Sequence, residues 1–339
     1  MNHALDQSNL TIDEAISLSK RIFSKAGFSQ EHATQISTVL VWADSSGHYS
    51  HGILRIPQYL KFASQRNIVI GNIPSLMKTE GSTQMVSGNS SAGPITMRFA
   101  VNQLIPLTQK SGIAISNISN TSHIGAAGFY GVQLANAGMI SFILAAGVPQ
   151  MAYIGTTAKN LSTAPLAITV PRLEEEHLIL DMATSAVASG KIKVATQNRV
   201  EIPDSWGLTK EGELTTNPSD IEILLPMGGA KGSGLAFMFE IIASLLGNAP
   251  ILEPRIGENK ISNHTQNATI ISIDPTKFIS DVALNSLINE LIEKLRNEPS
   301  QGDSKILMPG ERSAKQRAFS IENGIQYSAQ LLEDLQVFL

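Results

Sequence analysis

Five short apolar segments in the middle and later part of the chain constrain its fold more than any other feature. Each is four to eight residues of mostly apolar character, bounded by glycine, proline or polar residues, which is typical of buried strands rather than helices. The segments are Gly112–Ser119, Met139–Ala145, Pro165–Pro171, His177–Ala183 and Ala268–Asp274. Apolar residues recur at helical spacing on both sides of them. The pattern therefore predicts a mixed α/β body flanked by helices.

Helix signals surround these segments. Thr11 and Glu14 have the spacing of a capping box, and Gly27 ends the helix that follows. Ser29 begins a second helix that closes at Gly47. Further helices are predicted over His51–Arg66, Gly125–Gly138, Lys231–Asn248, Asp281–Asn297 and Ile321–Val337. In the first of these, Pro57 should distort the helix or restart it.

The composition bounds the class of protein. A length of 339 residues is expected to form about two domains, and 42% hydrophobic with 16% charged residues is enough apolar material for a sizeable core. We expect a central sheet domain at residues 112–250, with residues 1–111 and 251–339 forming a helical domain together. The net charge of −4 and the lack of a basic run argue against a nucleic-acid partner.

Several kinds of chemistry are excluded. The chain has no cysteine, so it has no disulfide, no thiolate zinc site and no cysteine nucleophile. The Rossmann G-x-G-x-x-G and the P-loop motif are absent, as are H-E-x-x-H and G-x-S-x-G. The start of the chain lacks the features of a signal peptide, and no apolar window reaches the roughly 20 residues of a membrane span. We expect a soluble, cytoplasmic protein with no membrane partner.

Ser50–Tyr59 carries the first candidate site. At helical spacing, His51 and Arg55 would share a face. An arginine can bind a carboxylate through two hydrogen bonds, and a nearby histidine can exchange a proton near neutral pH, which suits a 2-oxo or 2-hydroxy acid. The alternative is a helix start with a solvated arginine. A metal site with Asp44 and His48 is disfavoured, because Gly47 interrupts the helix and no other histidine cluster occurs.

Three further stretches carry a candidate residue beside glycines or at the end of a predicted strand. His123 lies between a predicted strand and a glycine-rich helix start, which would suit an anion such as a phosphate or would serve packing only. Asp181 ends a strand, where it could position a cofactor, orient a histidine or cap a helix. Lys231 stands among glycines ahead of an apolar helix, as a phosphate or carboxylate binder would.

In this order, five stretches resemble motifs of the malate/L-lactate dehydrogenase family, whose NAD(P)-dependent oxidoreductases lack a Rossmann fold. That family includes ureidoglycolate and sulfolactate dehydrogenases and the cyclic-ketimine (Δ1-piperideine-2-carboxylate) reductases. The matching stretches are Ser50–Tyr59, Ser122–Tyr130, Asp181–Ile192, Leu225–Leu235 and Met308–Arg317. They span nearly the whole chain.

The resemblance implies an α/β (α+β) fold with a mostly antiparallel or mixed sheet, and a homodimer. Residues 112–250 would bind NAD or NADP, and the helical domain would serve substrate binding and dimerisation. The family pattern implies catalytic roles for Ser50, His51, Arg55, Tyr59 and His123, with His123 favoured over His51 as the acid/base. It implies cofactor contacts at Gly147, Asp181, Met182, Ala183, Thr184, Lys231, Gly232, Gly310 and Glu311. It implies no metal.

The chain departs from the family pattern at three places, each of which removes a polar or bulky group. Ala164 replaces the asparagine of G-T-N-P, Gly147 replaces a hydroxyl residue, and Ala230 stands where many members have an aromatic residue or histidine. Ser50–Leu60 looks most like the ketimine reductases, whereas His123–Gly131 and the I-P-D-x-W at Ile202–Trp206 look more like the hydroxy-acid enzymes. We therefore favour a hydroxy-acid dehydrogenase, with a ketimine reductase and a catalytically silent cofactor-binding protein as alternatives. The choice of NAD or NADP and the physiological direction stay open.

Overall fold

A computed structural model describes residues 7–249, 266–299, 302 and 305–339. Its strands are β1 (Gln7–Leu10), β2 (Ser75–Glu80), β3 (Thr83–Ser87), β4 (Ile113–Thr121), β5 (Ile140–Ala146), β6 (Leu166–Val170), β7 (Leu178–Met182), β8 (Gly207–Leu208), β9 (Ile223–Leu224), β10 (Gln266–Ile273) and β11 (Ile325–Ser328). Its α-helices are α1 (Ile12–Lys25), α2 (Gln30–Ser45), α3 (Ile56–Ser64), α4 (Gly93–Ser111), α5 (Ala127–Asn136), α6 (Ser189–Asn198), α7 (Ala230–Ser244), α8 (Asp281–Arg296), α9 (Glu311–Asn323) and α10 (Ala329–Gln336).

The main sheet has seven strands in the order β2-β3-β4-β10-β5-β6-β7. Only β3 and β4 run parallel, and every other neighbouring pair is antiparallel. This confirms the predicted mixed, mostly antiparallel sheet, which differs from the parallel doubly wound Rossmann sheet. The five apolar segments predicted as strands form β4, β10, β5, β6 and β7, which are consecutive in the sheet.

Helices cover both faces of the sheet. Successive residues of a strand point to opposite faces, so Ile143 of β5 joins the core with α4 and α5, while Leu144 joins the core with α7. A separate core is built by α1, α2, α3, α10 and the β1–β11 pair. Because β1 pairs with β11, the two ends of the described chain meet in this helical part. The division at residues 111/112 and 250/251 stays a prediction, although β2, β3 and β10 of the sheet lie outside residues 112–250.

Two predicted helices are wrong as single helices. The segment from His51 begins as two 3-10 turns, Tyr49–His51 and Ile53–Arg55, and α3 starts only at Ile56 with Pro57 in its first turn, so the predicted restart at Pro57 is confirmed. Proline is tolerated there because its missing N–H would be unpaired anyway. The helix predicted over Ile321–Val337 is interrupted at Gly324, which adopts φ 80° and is followed by β11.

The stretch Ala230–Gly247 is long enough, and at a mean hydropathy of 1.3 apolar enough, to cross a membrane by length and composition alone. In the fold α7 packs against β5 and β10. Its central Glu240 is buried, and the Oε1 atom accepts a hydrogen bond of 3.1 Å from the Ser162 N–H. One such helix is weak support for a membrane span, and here it covers one face of the sheet.

Candidate active site

The 3-10 turns at Ser50–Arg55 bring the first group of candidate residues together; they are called the substrate turn after the role proposed for them below. Ser50 Oγ lies 3.0 Å from His51 Nδ1. Arg55 Nε donates to the Ser50 carbonyl at 2.6 Å, and its Nη1 donates to Gln58 Oε1 at 2.9 Å. The turn is thus closed by its own arginine. The residues are adjacent because of this turn and not because of the helical face that the spacing predicted.

Tyr59 joins the substrate turn to His123. Tyr59 is fully buried in α3, and its hydroxyl donates to the His123 carbonyl at 2.7 Å and lies 3.1 Å from His123 Nδ1. The His51 ring stacks on the His123 ring with centroids 5.7 Å apart and an interplanar angle of 25°. Ser50, His51, Arg55, Tyr59 and His123 therefore form one cluster, called the acid/base cluster below.

The partners of His123 suit a group that gains and loses a proton. Its Nδ1 atom faces the Tyr59 oxygen, which can accept, and the Gly125 N–H at 3.3 Å, which can donate. Both protonation states of Nδ1 are therefore satisfied. The other ring nitrogen, Nε2, makes no hydrogen bond to the described part of the chain, so it is the atom that can meet a substrate.

Burial and the charge of Arg55 favour the neutral form of both histidines. Burial, with the charges of Arg55 and His48 nearby, lowers the pKa of His51 to about 4. Burial, Arg55 and His51 lower the pKa of His123 well below its usual value. Burial raises the pKa of Tyr59, which is therefore a neutral phenol. A carboxylate beside Arg55 would offset the arginine charge and so raise the pKa of both histidines.

Asp181 reaches this region from β7. Its Oδ2 accepts a hydrogen bond of 2.7 Å from the Gly128 N–H in the first turn of α5. Burial raises the pKa of Asp181, and His48 lies near enough to oppose that rise. The carboxylate of Asp181 thus occupies part of the start of α5, where the sequence predicted that an anion such as a phosphate could bind. Asp181 is not the N-cap residue of α5, which is Ala126, and its possible roles in positioning a cofactor or orienting a histidine stay predictions.

Two segments that were predicted to contact the cofactor, one at Thr184 and one at Met227–Gly232, pack against each other. The Thr184 N–H and Oγ both donate to the Thr163 carbonyl at 2.9 Å, and the Met227 N–H donates to the Thr184 carbonyl at 2.8 Å. A Cβ at Gly232 would lie 2.4 Å from the Met227 carbonyl oxygen, so only glycine fits there. Lys231, beside it at the start of α7, is exposed.

Of the remaining predicted cofactor residues, Gly147 follows β5, and the others lie on β7 or pack beside it. Asp181 and Met182 end this strand, and Ala183 follows it directly. Gly310, at φ 92°, lies against the strand where Ile179 donates to the Pro309 carbonyl at 3.1 Å. Glu311 begins α9 and pairs with Arg296. Beside the strand an open cleft of about 890 Å³ is lined by Ile179, His177, Glu311 and Arg317, among others.

Sequence reasoning missed Gln266, at the start of β10. Its Oε1 accepts a hydrogen bond of 3.0 Å from the Ile124 N–H, directly after His123. Its Nε2 would lie 3.0 Å from a Cβ built at Gly147. Gln266 thus fills the space beside the position where the family pattern has a hydroxyl. The signal lies in the register of β10 on β4, where Gln266 pairs with Thr121, and not in any local motif.

Sequence reasoning also missed partners of Asp44 and His48. Asp44 is buried beneath the substrate turn, and Tyr327 donates to its Oδ2 at 3.0 Å. His48 Nε2 lies 3.1 Å from Ser313 Oγ. The described residues contain no group of three or more histidine, aspartate or glutamate side chains that could hold a metal ion.

Comparison with known proteins identifies the family. A model of the malate/L-lactate dehydrogenase family matches residues 10–336, and the chain belongs to this family. It is 30% identical to malate/(S)-sulfolactate dehydrogenase of Methanothermus fervidus over 96% of this chain and 95% of that protein. It is 28% identical to the ureidoglycolate dehydrogenase (NAD(+)) of Escherichia coli K12 over 93% of this chain and 90% of that protein.

A solved structure extends the comparison to imine chemistry. Δ1-Piperideine-2-carboxylate reductase from Pseudomonas syringae has a TM-score of 0.86 and 26% identity, covering 98% of this chain and 100% of that chain. The predicted resemblance is therefore confirmed. The family and these relatives are dehydrogenases and a reductase, so the chain is an oxidoreductase, and the family implies a nicotinamide cofactor.

Proposed function

We propose that this protein interconverts a small 2-oxo acid and the matching 2-hydroxy acid, with NAD or NADP as the hydride carrier. The observation that carries the proposal is the acid/base cluster, which contains both a partly buried arginine and a histidine with a satisfied Nδ1. A carboxylate binder next to a proton donor is what reduction at the C2 position of such an acid requires.

Arg55 would bind the substrate carboxylate. Its Nε and Nη1 are held by the Ser50 carbonyl and by Gln58, and its Nη2 makes no hydrogen bond within the described ranges. Burial lowers the pKa of Arg55, but a guanidinium stays charged at neutral pH. The held side chain offers its remaining N–H groups in a fixed direction, so little order is lost when a carboxylate binds.

His123 would move the proton. In the reductive direction His123 is charged once the substrate carboxylate offsets Arg55; it gives its Nε2 proton to the substrate oxygen as negative charge develops there and becomes neutral, and in the oxidative direction it takes the proton back. Tyr59 and Gly125 keep a partner on Nδ1 throughout. His51, stacked on His123 and hydrogen-bonded to Ser50, would complete the wall of the site.

The end of β7 and the start of α7 would hold a nicotinamide cofactor, because the exposed Lys231 stands beside Gly228 and Gly234, where open space replaces a side chain and a ligand could approach the backbone closely. We assign cofactor contacts to Gly147, Asp181, Met182, Ala183, Thr184, Lys231, Gly232, Gly310 and Glu311. When bound, the nicotinamide would supply a hydride to the C2 atom of the substrate acid or accept one from it. A cytoplasmic location is part of the proposal, since the reaction draws on the intracellular nicotinamide pool.

A homodimer is also part of the proposal. The apolar side chains of Phe237, Met238 and Leu246 on and after α7 are 46%, 52% and 61% exposed, and a second copy would cover them. Light scattering of the purified protein tests this, and a monomer at micromolar concentration would contradict it.

Reduction of a cyclic 2-imino acid is the second candidate. It is favoured by the likeness of Ser50–Leu60 to the ketimine reductases and by the reductase from Pseudomonas syringae among the structural neighbours. The same arginine and histidine would serve, because a cyclic ketimine acid also carries a carboxylate beside the carbon that is reduced.

One substrate panel separates these functions. Loss of reduced-cofactor absorbance is followed with pyruvate, oxaloacetate, 2-oxoglutarate, sulfopyruvate and the five- and six-membered cyclic ketimine acids, each with NADH and NADPH. Turnover of open-chain acids supports the dehydrogenase. Turnover confined to cyclic imines supports the reductase. Cofactor binding without turnover of any of them contradicts both and favours a catalytically silent protein.

A further inference from the structure

We propose that Asp44 is the positioning residue of the substrate turn: its buried carboxyl group holds Ser50–Arg55 in the shape that presents His51 and Arg55 to the substrate. The inference rests on the proposed function, in which this turn binds the substrate carboxylate. Asp44 lies in the last turn of α2, outside the acid/base cluster, and no step of the proposed reaction uses it.

The carboxyl group of Asp44 accepts two hydrogen bonds, one from the substrate turn that follows α2 and one from β11 near the other end of the described chain. Asp44 Oδ2 accepts from the Ile53 N–H, in the middle of the substrate turn, at 2.8 Å. The same oxygen accepts from the Tyr327 hydroxyl, on β11, at 3.0 Å. Asp44 is only 2% exposed, so these donors replace the water that a carboxyl group would otherwise bind.

The backbone of the substrate turn rests directly on Asp44. A Cβ built at Gly52 would lie 1.6 Å from Asp44 Oδ1, closer than any real contact. On the other side, a Cβ at Gly190 of α6 would lie 2.5 Å from Ser50 Cβ. The turn is therefore held between the carboxyl group of α2 and the backbone of α6, and both close contacts need glycine.

A buried carboxyl group is unfavourable in an apolar core unless its hydrogen bonds compensate for lost hydration. Both donors to Asp44, Ile53 and Tyr327, belong to the core of α1, α2 and α3, so the carboxyl group lies against apolar side chains. Burial raises its pKa to about 7, which is the expected sign of incomplete compensation. This placement fixes the backbone at Ile53. It thereby fixes His51 and Arg55, which lie two residues before and two residues after Ile53.

Four single variants test the role by steady-state kinetics, cofactor titration and Tm, and the first two act on Asp44 itself. Asp44→Ala removes the acceptor of the Ile53 N–H, and we expect KM for the turned-over acid to rise by about tenfold or more, the effect of one lost hydrogen bond to a carboxylate. The Kd of the reduced cofactor should stay within about twofold, because the cofactor residues lie on β7 and α7. Asp44→Asn keeps an acceptor oxygen and should restore a KM within about threefold of the starting value.

Tyr327→Phe is the matched control. It removes the other hydrogen bond to the same Oδ2 atom but leaves the bond to Ile53 in place. We expect it to lower Tm as Asp44→Ala does, without the rise in KM. An equal rise in KM in Tyr327→Phe, an unchanged KM in Asp44→Ala, or failure of Asp44→Asn to restore KM would each overturn the proposal.

Gly52→Ala tests the same contact from the other side and does not depend on Asp44→Ala folding well. The added methyl group should push the turn off Asp44, raise KM and lower Tm. In the Asp44→Ala background the methyl group meets less obstruction, so it should lower Tm by less than in the parent. Equal losses in both backgrounds would overturn the proposal. If the parent protein turns over no acid or imine, the proposed function fails, while this coupling in Tm still shows whether Asp44 holds the turn.

Discussion

The acid/base cluster and β7, the strand proposed to contact the cofactor, are built in opposite ways. In the cluster, side chains hold one another before any ligand arrives: Tyr59 binds His123, and Arg55 closes its own turn. Along β7 and at the start of α7, the contributions are backbone groups, glycines and the exposed Lys231. Preorganised polar groups act most strongly on the reacting atoms, whereas an open surface of backbone groups mainly sets affinity. Substitutions in the two regions should therefore differ in both size and kind.

The largest effect is expected from His123→Ala. Loss of a positioned acid/base group lowers kcat by about 10²–10⁴-fold, and cofactor affinity should hardly change, because His123 faces the substrate. Stopped-flow kinetics with cofactor titration measures both quantities. His32→Ala, a histidine of α2 outside the cluster, is the control. Parent-like turnover in the His123 variant would remove the cluster from the mechanism and break the comparison.

Arg55→Ala should act on substrate affinity. Removing a buried charged partner of a carboxylate costs about 3–5 kcal/mol, which appears as a higher KM for acids with the Kd of the reduced cofactor nearly intact. Arg55→Lys keeps the charge but loses the planar fork, so it should recover only part of the affinity. A parallel collapse of cofactor affinity would show that the arginine serves both regions, and the two could no longer be separated.

Local patterns predicted five consecutive strands of the sheet but not the two strands at its β2 edge. The strands β4, β5, β6, β7 and β10 have apolar runs with clear ends, and each was predicted, although β7 forms the other edge and is only partly buried. β2 is exposed along its whole length and carries Lys78 and Glu80, so it has no apolar pattern to detect. β11 was placed inside a helix because its alternation of buried Ile325 and Tyr327 is only two residues long on each face.

The candidate site follows the same rule. His51, Arg55 and His123 belong to contiguous motifs, so the sequence could nominate them. Asp44 meets Tyr327 across 283 residues of chain, and Gln266 meets Ile124 across 142 residues. Such contacts depend on strand register and on helix packing, and no local spacing encodes them. The glycine at 147, where the family pattern has a hydroxyl residue, is likewise explained by a distant residue, because Gln266 lies beside it in the fold.

The pH dependence of stability tests the state of Asp44, which lies beneath the substrate turn of the acid/base cluster. Burial raises the pKa of Asp44 to about 7, so its contribution is present at low pH and is lost as the pH rises toward about 7. Asp44→Asn cannot ionise. Its free energy of unfolding relative to the parent should therefore increase between about pH 4 and 7, by at most about 1.4 kcal/mol per pH unit, and level off above. Urea unfolding across this range measures the difference.

The histidines change stability in the opposite sense. Burial lowers the pKa of His51 to about 4, so the folded protein loses stability as the pH falls below the usual histidine range. The two trends offset each other in the parent, and the difference between parent and Asp44→Asn isolates the aspartate. A difference curve that stays flat from pH 4 to 8 would show that Asp44 is ionised in the fold.

The smallest effect is expected from Lys231→Ala, in the cofactor region. Lys231 is exposed and makes no ion pair with the residues that the structure describes, so its attraction to a cofactor phosphate is screened by water and salt. We expect the Kd for reduced cofactor to rise by about three- to tenfold at low ionic strength and by less in high salt, with kcat unchanged. Lys20→Ala, on α1, serves as the control for a general change in charge. A loss of affinity that exceeds about a hundredfold and does not depend on salt would place Lys231 in a closed, desolvated contact, and the cofactor region would then be as preorganised as the acid/base cluster.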